Sequence, residues 1–173
     1  DHGEALGERG SYGHLSSLQE EQLRIPLIVS QLGDDPSGRT VDKIVSLVDL
    51  FPTIIRNLGL ESSAFSLDGR DLEDVGPRPI LFRLGPSRPD QETTYACRLD
   101  RWKLIEVGRG SVRLHDLNLD PEERIDRSSE NPEIVRSLQE RIETERLRDS
   151  AKFSRKGADL RLRQQLEAMG YLD

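Results

Sequence analysis

The stretch from Pro79 to Leu117 constrains the fold of this chain more than any other. It holds four short apolar-rich segments, Ile80 to Leu84, Thr93 to Leu99, Trp102 to Val107 and Ser111 to Leu117. Asp100-Arg101 and Gly108-Arg109-Gly110 fall between the last three. Segments of that length, separated by turn sequences this short, read as consecutive hairpins. The spacing therefore predicts a small antiparallel sheet.

The rest of the chain follows other periods. Arg24 to Ser30 is nearly all apolar at its centre, the pattern of a strand buried on both faces. Before it, Ser16 or Ser17 is placed to cap a short helix through Leu23, with Glu20 and Glu21 where negative charge suits the dipole. Gln31 to Thr40 reads as a polar, turn-rich loop. Asp49 is the expected N-cap of the clearest helix, with Pro52 in its first turn and Gly59 as a left-handed end. Leu50, Ile54, Ile55 and Leu58 form its expected buried stripe. Residues 61 to 78 are loop-like. Two helices, roughly Pro132 to Arg148 and Asp159 to Met169, close the chain, with Ser150 to Gly157 as a polar linker. The predicted class is α/β: an edge of a parallel main sheet in residues 1–78, then a small antiparallel α+β subdomain in residues 79–173.

Composition sets limits on this fold. Apolar residues make up 34%, aromatics 5% and charged residues 33%, which describes a thinly cored piece whose main sheet is expected in upstream sequence. A net charge of −7 argues against nucleic acid as a partner, since no basic excess neutralises phosphates. The longest apolar runs, such as Ile25 to Val29, are too short to span a bilayer. Cys97 is alone, so no disulfide forms within the chain, and localisation stays open.

The first residues carry the chemistry. Asp1-His2-Gly3-Glu4-Ala5-Leu6-Gly7-Glu8 sets a carboxylate beside an imidazole, two metal-ligand types, with glycines that let the backbone turn tightly around whatever the pair holds. A ligand pair needs a rigid element to hang from. The expectation is therefore that this is the C-terminal part of a larger enzyme, its partner being the missing N-terminal half of the same chain.

D-H-G-E-x-L-G-E, then Gly13-His14, then Glu20-Glu21-Gln22-Leu23-Arg24-Ile25-Pro26-Leu27-Ile28-Val29, resembles the second half of the sulfatases, in the alkaline-phosphatase-like superfamily. Val45-Ser46-Leu47-Val48-Asp49-Leu50-Phe51-Pro52-Thr53, Asp68-Gly69-Arg70-Asp71-Leu72 and Arg101-Trp102-Lys103-Leu104-Ile105 resemble later blocks of that family. So do Leu114-His115-Asp116-Leu117-Asn118-Leu119-Asp120-Pro121-Glu122-Glu123 and the ending Leu166-Glu167-Ala168-Met169-Gly170-Tyr171-Leu172. Several blocks in the family's order carry the resemblance; no single one does.

The resemblance implies that Asp1 and His2 ligate a divalent cation beneath the sulfate, a position where many sulfatases have Asn in place of His. Calcium is the family's usual ion. The softer imidazole nitrogen also admits manganese or zinc. Two ligands do not complete a calcium site of six to eight oxygens, so the others are expected upstream. His14 falls where the family has a His or Lys that contacts the sulfate or leaving-group oxygen, and an imidazolium there serves as general acid. Arg9 stands where many relatives have His, and a guanidinium suits bidentate binding of an anionic substrate. Gln19 replaces a Tyr common in the family.

The implied activity is hydrolysis of a small-molecule or glycan sulfate ester, with an upstream formylglycine as nucleophile. A phosphonate monoester or phosphodiester hydrolase of the same superfamily is the alternative. A non-catalytic remnant is a third reading, if the chain is made alone. Cys97-Arg98-Leu99-Asp100-Arg101 lacks the Pro of the formylglycine motif and sits in a strand pattern, so Cys97 reads as a small packing residue. Glu20, Glu21 and Asp120 to Glu123 read as helix-start and turn residues, and His115 as packing.

Overall fold

The computed structural model describes all residues except 15–16, 31–37, 39, 61–66, 75, 87–91 and 169–173, with backbone alone for 151–168. The Ser16 cap, most of the Gln31 to Thr40 loop, part of the 61–78 loop and the end of the last block lie outside the described residues.

Two sheets are present. A small hairpin pairs β1 (Ala5–Leu6) with β2 (Tyr12–Gly13). The larger sheet is a four-stranded antiparallel meander of β3 (Ile80–Leu84), β4 (Thr94–Leu99), β5 (Trp102–Val107) and β6 (Ser111–Asp116), in sequence order. These strands agree with the sequence expectation to within a residue. Asp100 takes φ 54° and Gly108 φ 62° at the two tight turns, the left-handed backbone that such hairpin connections demand.

Alternation along the strands gives the sheet two unlike faces. Tyr95, Cys97, Leu104 and Leu114 pack against Leu138 and Ile142 of the helix α3 (Pro132–Ala168). Burying each of those two helix side chains contributes roughly 1.5–3 kcal/mol. The opposite face presents Ala96 and Ile105, which meet Leu18 and Leu23 around the short helix α1 (Glu20–Leu23). The segment that follows the first hairpin is thus laid on the meander.

The helix α2 (Leu50–Asn57) follows a 3-10 turn at Leu47–Asp49. It ends as expected: Gly59 has φ 66°, its N–H donates to Arg56 O at 2.9 Å, and Leu60 N–H donates to Ile55 O at 3.0 Å. Those two bonds are the Schellman pattern. Asp49 does not start the helix from outside. It has helical backbone angles, and its fully buried carboxylate accepts from Ser46 N at 2.8 Å and Arg70 N at 2.8 Å and pairs with Arg78. Residue 69 must be glycine for this approach, because a Cβ there would sit 1.9 Å from Val48 O.

Three further expectations need correction. Arg24 to Ser30 forms no strand: nothing described in this chain pairs with it, and Ile28 is 90% exposed. An apolar run specifies a buried strand only where neighbours supply its hydrogen bonds. On α2 the buried residues are Pro52, Thr53 and Ile55, while Ile54 and Leu58 are more than half exposed. Finally, the Ser150 to Gly157 linker is helical, and α3 runs unbroken through it. Ala, Lys and Arg there are good helix formers, and one glycine costs only about 1 kcal/mol.

Candidate active site

The first hairpin brings three of the expected residues, Asp1, His2 and His14, to one end. Its register pairs Ala5 with Gly13 and Leu6 with Tyr12, so the chain leaving β2 runs back beside the chain entering β1. His14 therefore returns to His2, and their rings stack with centroids 4.7 Å apart and an interplanar angle of 25°. His2 Nε2 lies 3.8 Å from Asp1 Oδ1, and its Nδ1 is 2.9 Å from Gly3 O. With Nδ1–H given to that carbonyl, Nε2 keeps its lone pair on the side of the Asp1 carboxylate. An oxygen and a nitrogen donor then face the same space, both solvent-accessible.

The turn at the hairpin's far end is built separately. Gly7 has φ 126° and Arg9 φ 52°, and Glu8 accepts from Leu6 N at 2.6 Å. Donation from its own backbone N–H and that of Leu6 holds the Glu8 carboxyl below its usual value, with Arg9 adding to this against slight desolvation. Arg9 sits in this turn. Its guanidinium pairs with Glu21 and donates to Glu122 O at 2.8 Å. An anion reaching Arg9 must compete with those partners. The seam is an open cleft of about 420 Å³, lined by Glu8, Arg9, Glu20, Glu21, Pro121, Glu122 and Arg124.

Beneath the hairpin, Gly3 N–H donates to Gln22 O at 2.9 Å. A Cβ at Gly3 would stand 2.1 Å from Glu21 O, so the loop that carries Asp1 and His2 rests directly on the α1 backbone. The fully buried Lys103 ammonium lies 2.9 Å from Glu20 Oε1 and 2.8 Å from Glu123 Oε1. Sequence reasoning missed this lysine. Its signal, a polar residue alternating with apolar ones in a strand, is the ordinary signature of a solvent-facing position.

The residues set aside in the sequence have structural partners. Cys97 is wholly buried in β4, and burial pushes its thiol up to about 11 despite the Arg141 charge, so it makes a poor nucleophile. His115 is buried with Nδ1 3.0 Å from Ile125 O, and Asp120 accepts from Ile125 N at 2.7 Å.

A sequence model of the sulfatase family matches residues 1–60, the part that holds the hairpin, α1 and α2. Arylsulfatase K of Gallus gallus is 32% identical over 154 residues, which is 80% of this chain and 28% of that protein. Arylsulfatase K of Homo sapiens is 28% identical over 158 residues, 82% of this chain and 29% of that protein. The chain belongs to the sulfatase family.

Within that family it spans under a third of the length of the arylsulfatases K it matches. A shorter likeness reaches the low-salt glycan biosynthesis sulfotransferase Agl7 of Haloferax volcanii, 40% identical over 76 residues, 42% of this chain and 18% of that protein. Among the described residues no group of three or more His, Cys, Asp or Glu side chains is arranged to hold a metal ion, and no helix is long and apolar enough to cross a membrane. For a divalent cation, Asp1 and His2 offer one oxygen and one nitrogen donor, fewer than a complete shell needs.

Proposed function

We propose that this chain contributes Asp1, His2 and His14 to the active site of a sulfate-ester hydrolase. The observation that carries this is the stacking of His14 on His2, which puts a proton donor next to a carboxylate–imidazole pair suited to a cation. Asp1 and His2 would hold the divalent ion, with the Gly3 carbonyl fixing the His2 ring. Calcium, manganese and zinc all accept such donors. Once bound, the ion supplies positive charge to polarise sulfate oxygens. His14, as imidazolium, gives its proton to the ester oxygen as the S–O bond breaks, so that the alcohol leaves neutral. Arg9 stands apart from these three, and any anion contact it makes comes at the cost of its pairing with Glu21.

The nucleophile is assigned to protein beyond these 173 residues, a hydrated formylglycine by the family resemblance, because Cys97 is buried. Sulfate is preferred to phosphate or phosphonate because the matched relatives are named as arylsulfatases and a sulfotransferase. The full-length protein, purified and assayed with phenyl sulfate, phenyl phosphate and phenylphosphonate monoester, tests this reading. Asp1→Ala and His2→Ala are each expected to lower both bound divalent metal and sulfate release. Normal metal content in both variants, or hydrolysis of the phosphorus esters alone, would overturn it.

A further inference from the structure

We propose that Lys103, on a strand of the antiparallel sheet, is the positioning residue that holds the Asp1–His2 loop in place. The inference rests on the reading of Asp1 and His2 as metal ligands. Lys103 and Arg98 are cross-strand neighbours in β5 and β4, and both reach Glu20: Lys103 Nζ to Oε1 at 2.9 Å, Arg98 Nη1 to Oε2 at 2.9 Å. Glu123 closes the ring. One of its oxygens lies 2.8 Å from Lys103 Nζ, and the other accepts from Glu20 N at 2.7 Å.

The first residue of α1 is therefore gripped by side chain and backbone together. At the other end of that single helical turn, Gln22 O takes the Gly3 N–H at 2.9 Å, one residue from His2. A second strut runs parallel: Arg9 joins Glu21 to the backbone of Glu122, the residues next to Glu20 and Glu123. Three residues of α1, Glu20 to Gln22, thus separate a wholly buried cation from the ligand loop. A lone turn of helix has little stability of its own, so its orientation is whatever its ends are tied to. Apolar replacements of buried ion pairs are often as stable, so a buried lysine between two carboxylates fits a role in fixing geometry.

Native-state hydrogen exchange on the chain tests this, comparing Lys103→Met with Leu138→Ala, a core truncation on the other face of the sheet. Wild-type and variant chains are also titrated with Mn²⁺, reading paramagnetic broadening of the His2 ring. In Lys103→Met the Gly3 amide is expected to exchange at least about tenfold faster beyond any change shared with the β4 and β5 amides. In Leu138→Ala the Gly3 and sheet amides change together. Mn²⁺ broadening is expected to weaken in Lys103→Met and persist in Leu138→Ala. If Lys103→Met does not fold, Glu123→Gln is read the same way, with a smaller loosening of Gly3 expected. Gly3 protection that changes only in step with the sheet would overturn the proposal. Selective loosening of Gly3 without broadening in the wild type would uphold the hold on the loop and overturn the ligand reading instead.

Discussion

His14 lies face to face with His2, ring centroids 4.7 Å apart, because the hairpin pairing Ala5 with Gly13 folds one back onto the other. The two rings come from the two arms at the open end of that hairpin, so any strain that opens it separates them. The site's geometry is thereby tied to a few backbone bonds rather than to a large core.

Gly3→Ala tests that dependence. The new methyl would sit 2.1 Å from Glu21 O, a backbone atom that cannot swing aside, so the loop must lift from α1. The expected result is loss of the His2–His14 ring contact by nuclear Overhauser measurement, with the resonances of β4 and β5 unmoved. A retained ring contact would show that the loop is held by something else.

The second prediction concerns Asp49. It is wholly buried, accepts two backbone N–H groups and pairs with Arg78. Asp49→Ala strands a buried guanidinium and two donors, and breaking such a pair costs about 3–5 kcal/mol. Denaturant unfolding should register a loss of that order for α2 and residues 67–74, which dock on it through Arg70 N and through Leu72 N on Thr53 Oγ1. A change below 1 kcal/mol would mean that the pair is solvated.

Acid sensitivity follows from Asp126. Its carboxyl is exposed on the surface, where partial desolvation works upward, but N–H groups of Ser128 and Leu114, the Ser128 side chain and the His115 charge outweigh that and hold it below its ordinary value. A carboxylate lowered on folding contributes stability above its unfolded value near 3.9 and loses it as pH falls through the lower folded value. Thermal melts should therefore drop in Tm below about pH 4. In Asp126→Asn the melt should start lower at pH 7 and show a shallower acid decline. An unchanged decline would assign the acid lability to other groups.

The antiparallel meander was legible because each strand carries its own alternation and its own turn residues, and neither depends on distant sequence. The apolar run at Arg24 to Ser30 was misleading for the opposite reason: a strand's identity lies partly in its neighbours, and none described here pairs with it. Asp1, His2 and His14 were found as residue types, while their adjacency came only from the Ala5–Gly13 register. Lys103 was invisible as a hub, since Glu20 and Glu123 reach it from either side across long sequence separations. Gly157 and its polar neighbours looked like a linker because local polarity does not distinguish a solvated helix from a loop.

The most direct test of the account is the leaving-group dependence of His14→Ala in the full-length protein, using aryl sulfates whose phenols range from acidic to weakly acidic. If His14 protonates the departing oxygen, turnover should fall by about 10²–10⁴-fold for the poorest leaving groups and little for nitrophenol, which departs unaided. An equal fall for every substrate, or none, would contradict the role assigned to the histidine stacked on His2.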